Sequence, residues 1–338
     1  MTTTHSESGF SLAELLVATG VLLVVSSIVT SALLQMTQSQ STIWNRTEMH
    51  SGIRGATELL QQEVGQAGRV SVPGTTAFPG VIILNTAVNP VGGANPHAVL
   101  VCDAGNPTTS AATVQVSSTA GIFVSTAPPA YMLLTTMDGD AKESIKVATA
   151  AGTTMTACFT SPHAAGTVMM PLGSFATGVI PPTGMLNGSS ATVLKLYGDI
   201  NGDGNMVYVE YTCDSTVRHN LYRNVMAFNA GSKPAVDASQ ILLGNVIPNP
   251  GLPPIDCFTY QTATMLVQGT PFTFVLDVAV TLTVETEQID PVTRLKQTET
   301  KALLNVSPRN VFSAWMLAGM SYTDRIQSTP ATVTALLP

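Results

Sequence analysis

The sequence predicts an α+β protein: one long N-terminal helix followed by an antiparallel β-sheet head with a β-rich insertion. Three patterns carry this reading. Residues 15–34 hold no charge and no proline, and fourteen of the twenty are Ala, Val, Ile or Leu. Apolar positions then recur in steps of three and four as far as Ala67, the period of an amphipathic helix. Beyond Gly68 the period shifts to short alternating runs rich in Val, Thr, Gly and Pro, the signature of antiparallel strands. Composition sets the limits. The chain has 338 residues, of which only 10% are charged, with a net charge of −7; an ordinary soluble domain has about 25% charged residues. A chain this acidic, with no basic run, is not expected to bind nucleic acid, because neutralising phosphate needs clustered Lys and Arg. Its apolar share of 45% is ample for a core and excludes a disordered acidic chain.

The run at 15–34 is twenty residues long, and a helix of that length covers about 30 Å, the thickness of a bilayer core. A cleaved secretory signal usually has a shorter apolar run behind a basic segment, and residues 1–9 contain no Lys or Arg. The helix is predicted to continue through residues 35–67, with Ile43, Trp44, Met49, Ile53, Ala56, Leu59, Leu60, Val64 and Ala67 on one stripe. Arg46, Glu48, Arg54, Glu58 and Glu63 take the other faces, and Gly65 and Gly68 supply the stop. One carboxylate, Glu14, stands at the head of the span, where an unpaired charge is costly and calls for a partner.

Gly9-Phe10-Ser11-Leu12-Ala13-Glu14 followed by the apolar run resembles the class III signal of type IV pilins and pseudopilins. The resemblance implies a leader of residues 1–9, cut by a prepilin peptidase after Gly9. Phe10 becomes the methylated N-terminus, and Glu14 neutralises the α-amino group of a neighbouring subunit. The leader departs from the family in lacking basic residues. The segment 54–69, R-G-A-T-E-L-L-Q-Q-E-V-G-Q-A-G-R, is similar to PilW-type minor pilins and GspJ-type pseudopilins, although a plain packing helix predicts the same residues. The implied partners are other pilin subunits and the peptidase. The implied location is the bacterial inner membrane as a single-pass protein with a periplasmic head, then a pilus or the cell surface.

Within the head, strands are predicted at 81–84, 98–102, 113–116, 131–135, 144–148 and 154–158, making 69–190 a β-rich loop and insertion region. Residues 173–190, with Pro181-Pro182 and Asn187-Gly188, read as a linker or loop. From 191 to 311 the sequence predicts a pilin-like antiparallel sheet. Strand 193–197 leads into Asp199-Ile200-Asn201-Gly202-Asp203-Gly204-Asn205, and a strand over 207–211 follows. With Glu210 these residues match the calcium-loop pattern D-x-[DN]-x-[DN]-G-x5-E. Asp199, Asn201, Asp203, Asn205 and Glu210 are therefore the candidate Ca2+ ligands, at a β-hairpin instead of between two helices, where Glu210 can rotate away. The same residues also suit a metal-free Asx turn. Residues 274–285 alternate Leu276, Val278, Val280, Leu282 and Val284 against Asp277, Ala279, Thr281, Thr283 and Glu285, the pattern of a half-buried strand. Ile289-Asp290-Pro291 turns it, and 295–306 returns. Leu303-Leu304-Asn305-Val306 with Pro308-Arg309-Asn310-Val311 is similar to the last strand of the same families. The tail, 312–338, has no assigned role.

Cys102, Cys158, Cys213 and Cys257 are too far apart in sequence for a zinc or redox motif. An even count in an exported head suggests two disulfides, and nearest pairing gives Cys102–Cys158 and Cys213–Cys257; buried free thiols are the alternative. No G-x-S-x-G, H-E-x-x-H or Walker loop occurs, and His163 and His219 read as surface turn residues. The expectation is an assembly protein and not an enzyme. The readings to separate are a minor pilin, a pseudopilin of type II secretion, and a membrane-anchored adhesin.

Overall fold

A computed structural model describes residues 11–89, 112–127, 129–267 and 270–338. Gly9, Phe10, Cys102 and the strand expected at 98–102 lie outside these residues. The chain divides into two units, one of Met1–Ser51 with Glu285–Glu299, the other of Gly52–Val284 with Thr300–Pro338. Helix α1 (Leu12–Gln66) is a single element of 55 residues.

In the first unit every helix residue from 12 to 40 is exposed, and this stretch is long and apolar enough to cross a membrane. Ile43 and Trp44, expected on the packed stripe, are 63% and 75% exposed. The segment 285–299 meets the helix beyond them, where Arg46 bonds Gln297 and His50 pairs with Glu299.

In the second unit the last turns of α1 bury Ile53, Ala56, Leu60 and Val64, so the predicted stripe holds here, but Glu63, expected on an outer face, is buried as well because Arg223 and Tyr211 meet it. Each fully buried Leu, Ile or Val contributes about 1.5–3 kcal/mol. The helix ends at Gln66, and Gly68 takes φ +83°, a conformation that glycine adopts freely. A Cβ on Gly178 would lie 2.1 Å from the Gly68 Cα, so two glycines let the helix exit and a second backbone cross in contact.

The first part of the head contains β1 (Ile82–Ile83), β2 (Ala112–Gln115), the short pair β3 (Val124–Thr126) and β4 (Pro129–Tyr131), β5 (Leu133–Thr136), β6 (Ser144–Ala151), β7 (Thr154–Ala157) and β8 (Val168–Pro171). Six of these form one sheet in the order β1-β8-β5-β6-β7-β2, as the alternation at 113–158 predicts. After β9 (Ser174–Phe175), a second sheet runs β10 (Val193–Gly198), β11 (Val207–Asp214), β12 (Asn220–Ala227) and β13 (Ile241–Gly244) in sequence order. A third joins β14 (Val246–Ile247), β16 (Thr270–Glu285) and β15 (Phe258–Val267), with β17 (Thr298–Val306) also on β16. The alternation predicted for β16 is interrupted once. Gln261 pairs Asp277 and Thr262 pairs Val275, so Leu276 is a bulge; Phe274 and Val275 are consequently both buried while Leu276 is only half-buried.

Of the two readings of 173–190, linker or loop, the structure supports a packed loop. Phe175, Val179 and Ile180 are fully buried, and Tyr197 N–H donates to Gly178 O. The tail is part of the core. Helix α2 (Arg309–Gly319) buries Val311 and Ala314, β18 (Ile326–Gln327) pairs in parallel with β9, and α3 (Ala331–Leu336) places Val333 and Leu336 in the main apolar cluster. Gln327 replaces a strand partner, because its side chain both accepts from Leu133 N–H at 2.9 Å and donates to Leu133 O at 2.8 Å.

The helix and second sheet are fastened by a buried ion pair. Glu63, 3% exposed, accepts from Arg223 Nε at 3.1 Å and from the Tyr211 hydroxyl at 2.5 Å. Glu63→Gln should cost about 3–5 kcal/mol in denaturant unfolding of the detergent-solubilised chain, because it strands Arg223 unpaired in a partly buried site. Arg54→Ala, which breaks the exposed Arg54–Glu58 pair, should leave unfolding unchanged within error.

Candidate functional site

At the N-terminal end, Ser11 and Glu14 cap the helix reciprocally. Ser11 N–H donates to Glu14 Oε2 at 3.0 Å, and Glu14 N–H donates to Ser11 Oγ at 3.3 Å. This is a capping box, and the S-x-x-E spacing that announces it is present in the sequence. Glu14 is thus held at the positive end of the helix dipole, pointing out of the first turn. Glu14 and its neighbours Ala13, Val17 and Ala18 are all exposed.

The loop between β10 and β11 holds Asp199, Asn201, Asp203 and Asn205. Asp199 is fully buried; its Oδ1 accepts from Asp203 N–H at 3.1 Å, its Oδ2 from Gly204 N–H at 3.3 Å, and Arg69 Nε lies 3.5 Å from Oδ2. Asp203 Oδ1 in turn accepts from Asn205 N–H at 2.8 Å. Both glycines of the loop have positive φ, 73° at Gly202 and 87° at Gly204. The loop therefore closes as an Asx turn on its own amides, with Arg69 balancing the buried charge.

Glu210 is not brought to this loop. It pairs across the hairpin with Lys195, three residue pairs from the Gly198–Val207 end, which is about 10 Å along the strands. Its Oε2 accepts from Lys233 Nζ at 2.7 Å and from the Tyr208 hydroxyl at 2.9 Å, with Lys195 Nζ at 3.9 Å. Burial pulls the Lys195 ammonium below its ordinary value, Glu210 opposes that, and Lys233 adds to it. The five oxygen donors expected to hold Ca2+ are thus divided between two separate clusters, because a strand turns Glu210 onto the sheet. Among the described residues no group of three or more His, Cys, Asp or Glu side chains is placed to hold a metal ion.

Cys213 and Cys257 form a disulfide, with Cα atoms 6.5 Å apart. Cys158 is also disulfide-bonded, and Cys102 lies outside the described residues.

His163 is not a surface residue. It is 3% exposed and lies between two carboxylates, with Nδ1 2.5 Å from Asp138 Oδ2 and Nε2 2.7 Å from Glu143 Oε1. Glu143 also accepts from the amides of Thr160 and Ser161, and His163 exchanges both backbone hydrogen bonds with Val88. Both acceptors are carboxylates, so in its protonated form the ring donates from both nitrogens and cross-links them as an imidazolium. Neither partner was visible from sequence spacing, since Asp138 and Glu143 are 25 and 20 residues away. His219 does follow a turn expectation: it has φ +56° and its Nδ1 donates to Val246 O at 3.2 Å.

Compared with protein-family models, curated proteins and solved structures, the chain matches none of them. What the geometry defines by itself is an α+β protein with one candidate membrane-spanning helix near the N-terminus and a disulfide-bonded β-rich head.

Two outcomes follow from these clusters. Burial opposes charge on His163, but the bonds to Asp138 and Glu143 outweigh it and raise its pKa above the ordinary 6.5. Its contribution to stability is full below about pH 6.5 and lost as pH rises through the raised value. Melting temperature measured across that window should fall for the wild type, and His163→Gln should flatten this component. Asp199→Ala should cost about 1–3 kcal/mol, since it leaves loop amides and Arg69 without their acceptor. We expect the same loss with calcium or with chelator in the melting buffer; a loss confined to calcium would put a cation in the loop.

Proposed function

We propose that this chain is a minor subunit of a type IV filament, anchored in the membrane by the first half of α1 and docked into the filament through the same helix. The observation that carries the proposal is the uneven covering of that helix. Residues 12–40 are exposed throughout while residues 53–64 are packed under the head, so one continuous helix offers an entire apolar half to something outside the chain. Before assembly that surround is lipid; in the filament it is the helices of neighbouring subunits. The exchange is easy because packed apolar side chains and lipid tails are alike in polarity, so van der Waals fit decides it.

Glu14 gives the exchange its register. Cleavage after Gly9 by a prepilin peptidase creates an α-amino group at Phe10, one residue before the Ser11 cap. A carboxylate and an amine that meet in an apolar surround neutralise each other, whereas either alone pays a heavy desolvation cost. The capping box keeps Glu14 satisfied in the free subunit, and a neighbour's Phe10 amine takes the remaining acceptor positions on assembly. The disulfide-bonded head suits an oxidising compartment outside the cytoplasm. Its role is display and contact, with no step of covalent chemistry.

The test is incorporation. In cells that assemble the filament, Glu14→Ala should lower the share of this chain in sheared filaments at least about tenfold, because the neighbour's amine is left unpaired. Its level in the membrane should not change. Equal incorporation of Glu14→Ala and wild type would overturn the proposed pairing.

A further inference from the structure

The unit that contains the membrane span also contains the 285–299 segment, which exposes three aliphatic side chains beside the polar Glu287, Gln288, Thr293, Arg294 and Lys296. Ile289, Val292 and Leu295 are 62%, 68% and 69% exposed. The loop is nevertheless well built. Asp290, 2% exposed, accepts from Val292 N–H at 2.7 Å and Thr293 N–H at 2.9 Å, and Gln297 Nε2 donates to it at 2.5 Å. Asp290 N–H donates to Leu295 O at 3.1 Å. The turn closes on the buried Asp290 carboxylate and leaves Ile289, Val292 and Leu295 exposed.

Their height along the helix is fixed. Asp290 interacts with Thr42 and Arg46, and Gln297 bonds Arg46. Trp44, 75% exposed, lies between these two helix positions. At about 100° per residue it points away from the face that carries Thr42 and Arg46. Apolar groups therefore stand on both sides of α1 at one level.

That level coincides with a boundary in the sequence. After Glu14 the next ionisable side chain is Arg46, so 31 successive residues, 15–45, carry none. As helix they cover about 46 Å, against roughly 30 Å for the hydrocarbon core and 40–45 Å for a bilayer with its headgroups. A helix that starts at one headgroup surface brings Trp44 and Arg46 to the other, where tryptophan is the preferred residue.

We infer that the 285–299 tip and Trp44 form an interfacial collar that rests on the lipid headgroup and upper acyl region where α1 leaves the bilayer. The inference depends on the membrane-anchor reading of α1. Ile289, Val292 and Leu295 enter the boundary between headgroups and chains, and Arg294, exposed on the same loop, meets lipid phosphate. The collar fixes how deeply the subunit sits before it is drawn into a filament.

The experiment uses the full chain in phosphatidylcholine/phosphatidylglycerol vesicles, diluted so that each vesicle holds about one copy. In a Trp44→Phe/Trp315→Phe background, one variant carries Val292→Trp and a second carries Val24→Trp. Position 292 is exposed, so the indole disturbs no packing. Lipids brominated near the glycerol end of the chain should remove about half of the Val292→Trp emission. Lipids brominated near the methyl end should quench Val24→Trp more strongly. If Val24→Trp is quenched while Val292→Trp is untouched by either lipid and open to aqueous iodide, the collar is wrong and the anchor stands. If Val24→Trp is not quenched, the anchor reading fails and the collar with it.

Discussion

A carboxylate placed between a helix and a sheet, away from water, organises the head. Glu63 is nearly inaccessible and is held by Arg223 from β12 and Tyr211 from β11. Burial raises the Tyr211 hydroxyl pKa, and the adjacent Glu63 charge raises it further, so Tyr211 stays a donor. Such a cluster adds modestly to stability but tolerates very little displacement, since a shift of one helical turn strands two charges. It sets both the rotation and the axial position of the last turns of α1 against the sheet. The consequences run outward. Leu60 and Val64 are aimed into the core, and the exit at Gly68 is pressed against Gly178. Arg69 then lies where Asp199 needs a counter-charge. The Asp199 loop is thus a downstream product of the same placement.

The head uses several of its few charges in this manner. Glu63–Arg223, Glu210–Lys233 and Asp138–His163–Glu143 are all wholly or partly withdrawn from solvent. Glu63–Arg223 joins α1 to β12, Glu210–Lys233 joins β11 to the segment after β12, and His163 joins the β7–β8 connection to the β5–β6 connection. Other charges, among them Arg54, Glu58, Lys142, Arg218, Asp237 and Asp256, remain exposed beside Thr, Ser, Asn and Gln. A chain with 10% charged residues is therefore not merely short of charge; a good part of what it has is spent inside.

Features that depend on nearby residues were legible. The helix from the apolar run to Gly68, the hairpin around residues 199–206 and the strand ending at Glu285 all follow from period and turn chemistry. The Ser11–Glu14 box follows equally from the local S-x-x-E spacing. Features that depend on distant partners were not. Glu63 falls beside the apolar stripe and reads as a solvent residue unless Arg223, 160 positions away, is known to face it. His163 reads as a turn residue because its carboxylates come from another strand connection. The Gly/Pro content of 173–190 speaks for a loop, yet Gly178 is there so that backbones can touch. Gln327, which completes a strand from the C-terminal tail, carries no local signal at all.

Under the proposed assembly residues 9 and 10 are decisive, because Glu14 would pair with an amine that only cleavage before Phe10 creates. Intact mass of the mature chain, purified from cells with and without an active prepilin peptidase, measures this directly. The account predicts a chain starting at Phe10, shortened by the nine residues Met1–Gly9 and carrying one added methyl group only when the peptidase is active. A mature chain that still begins with Met1, or one cut within or after the apolar run, would contradict it.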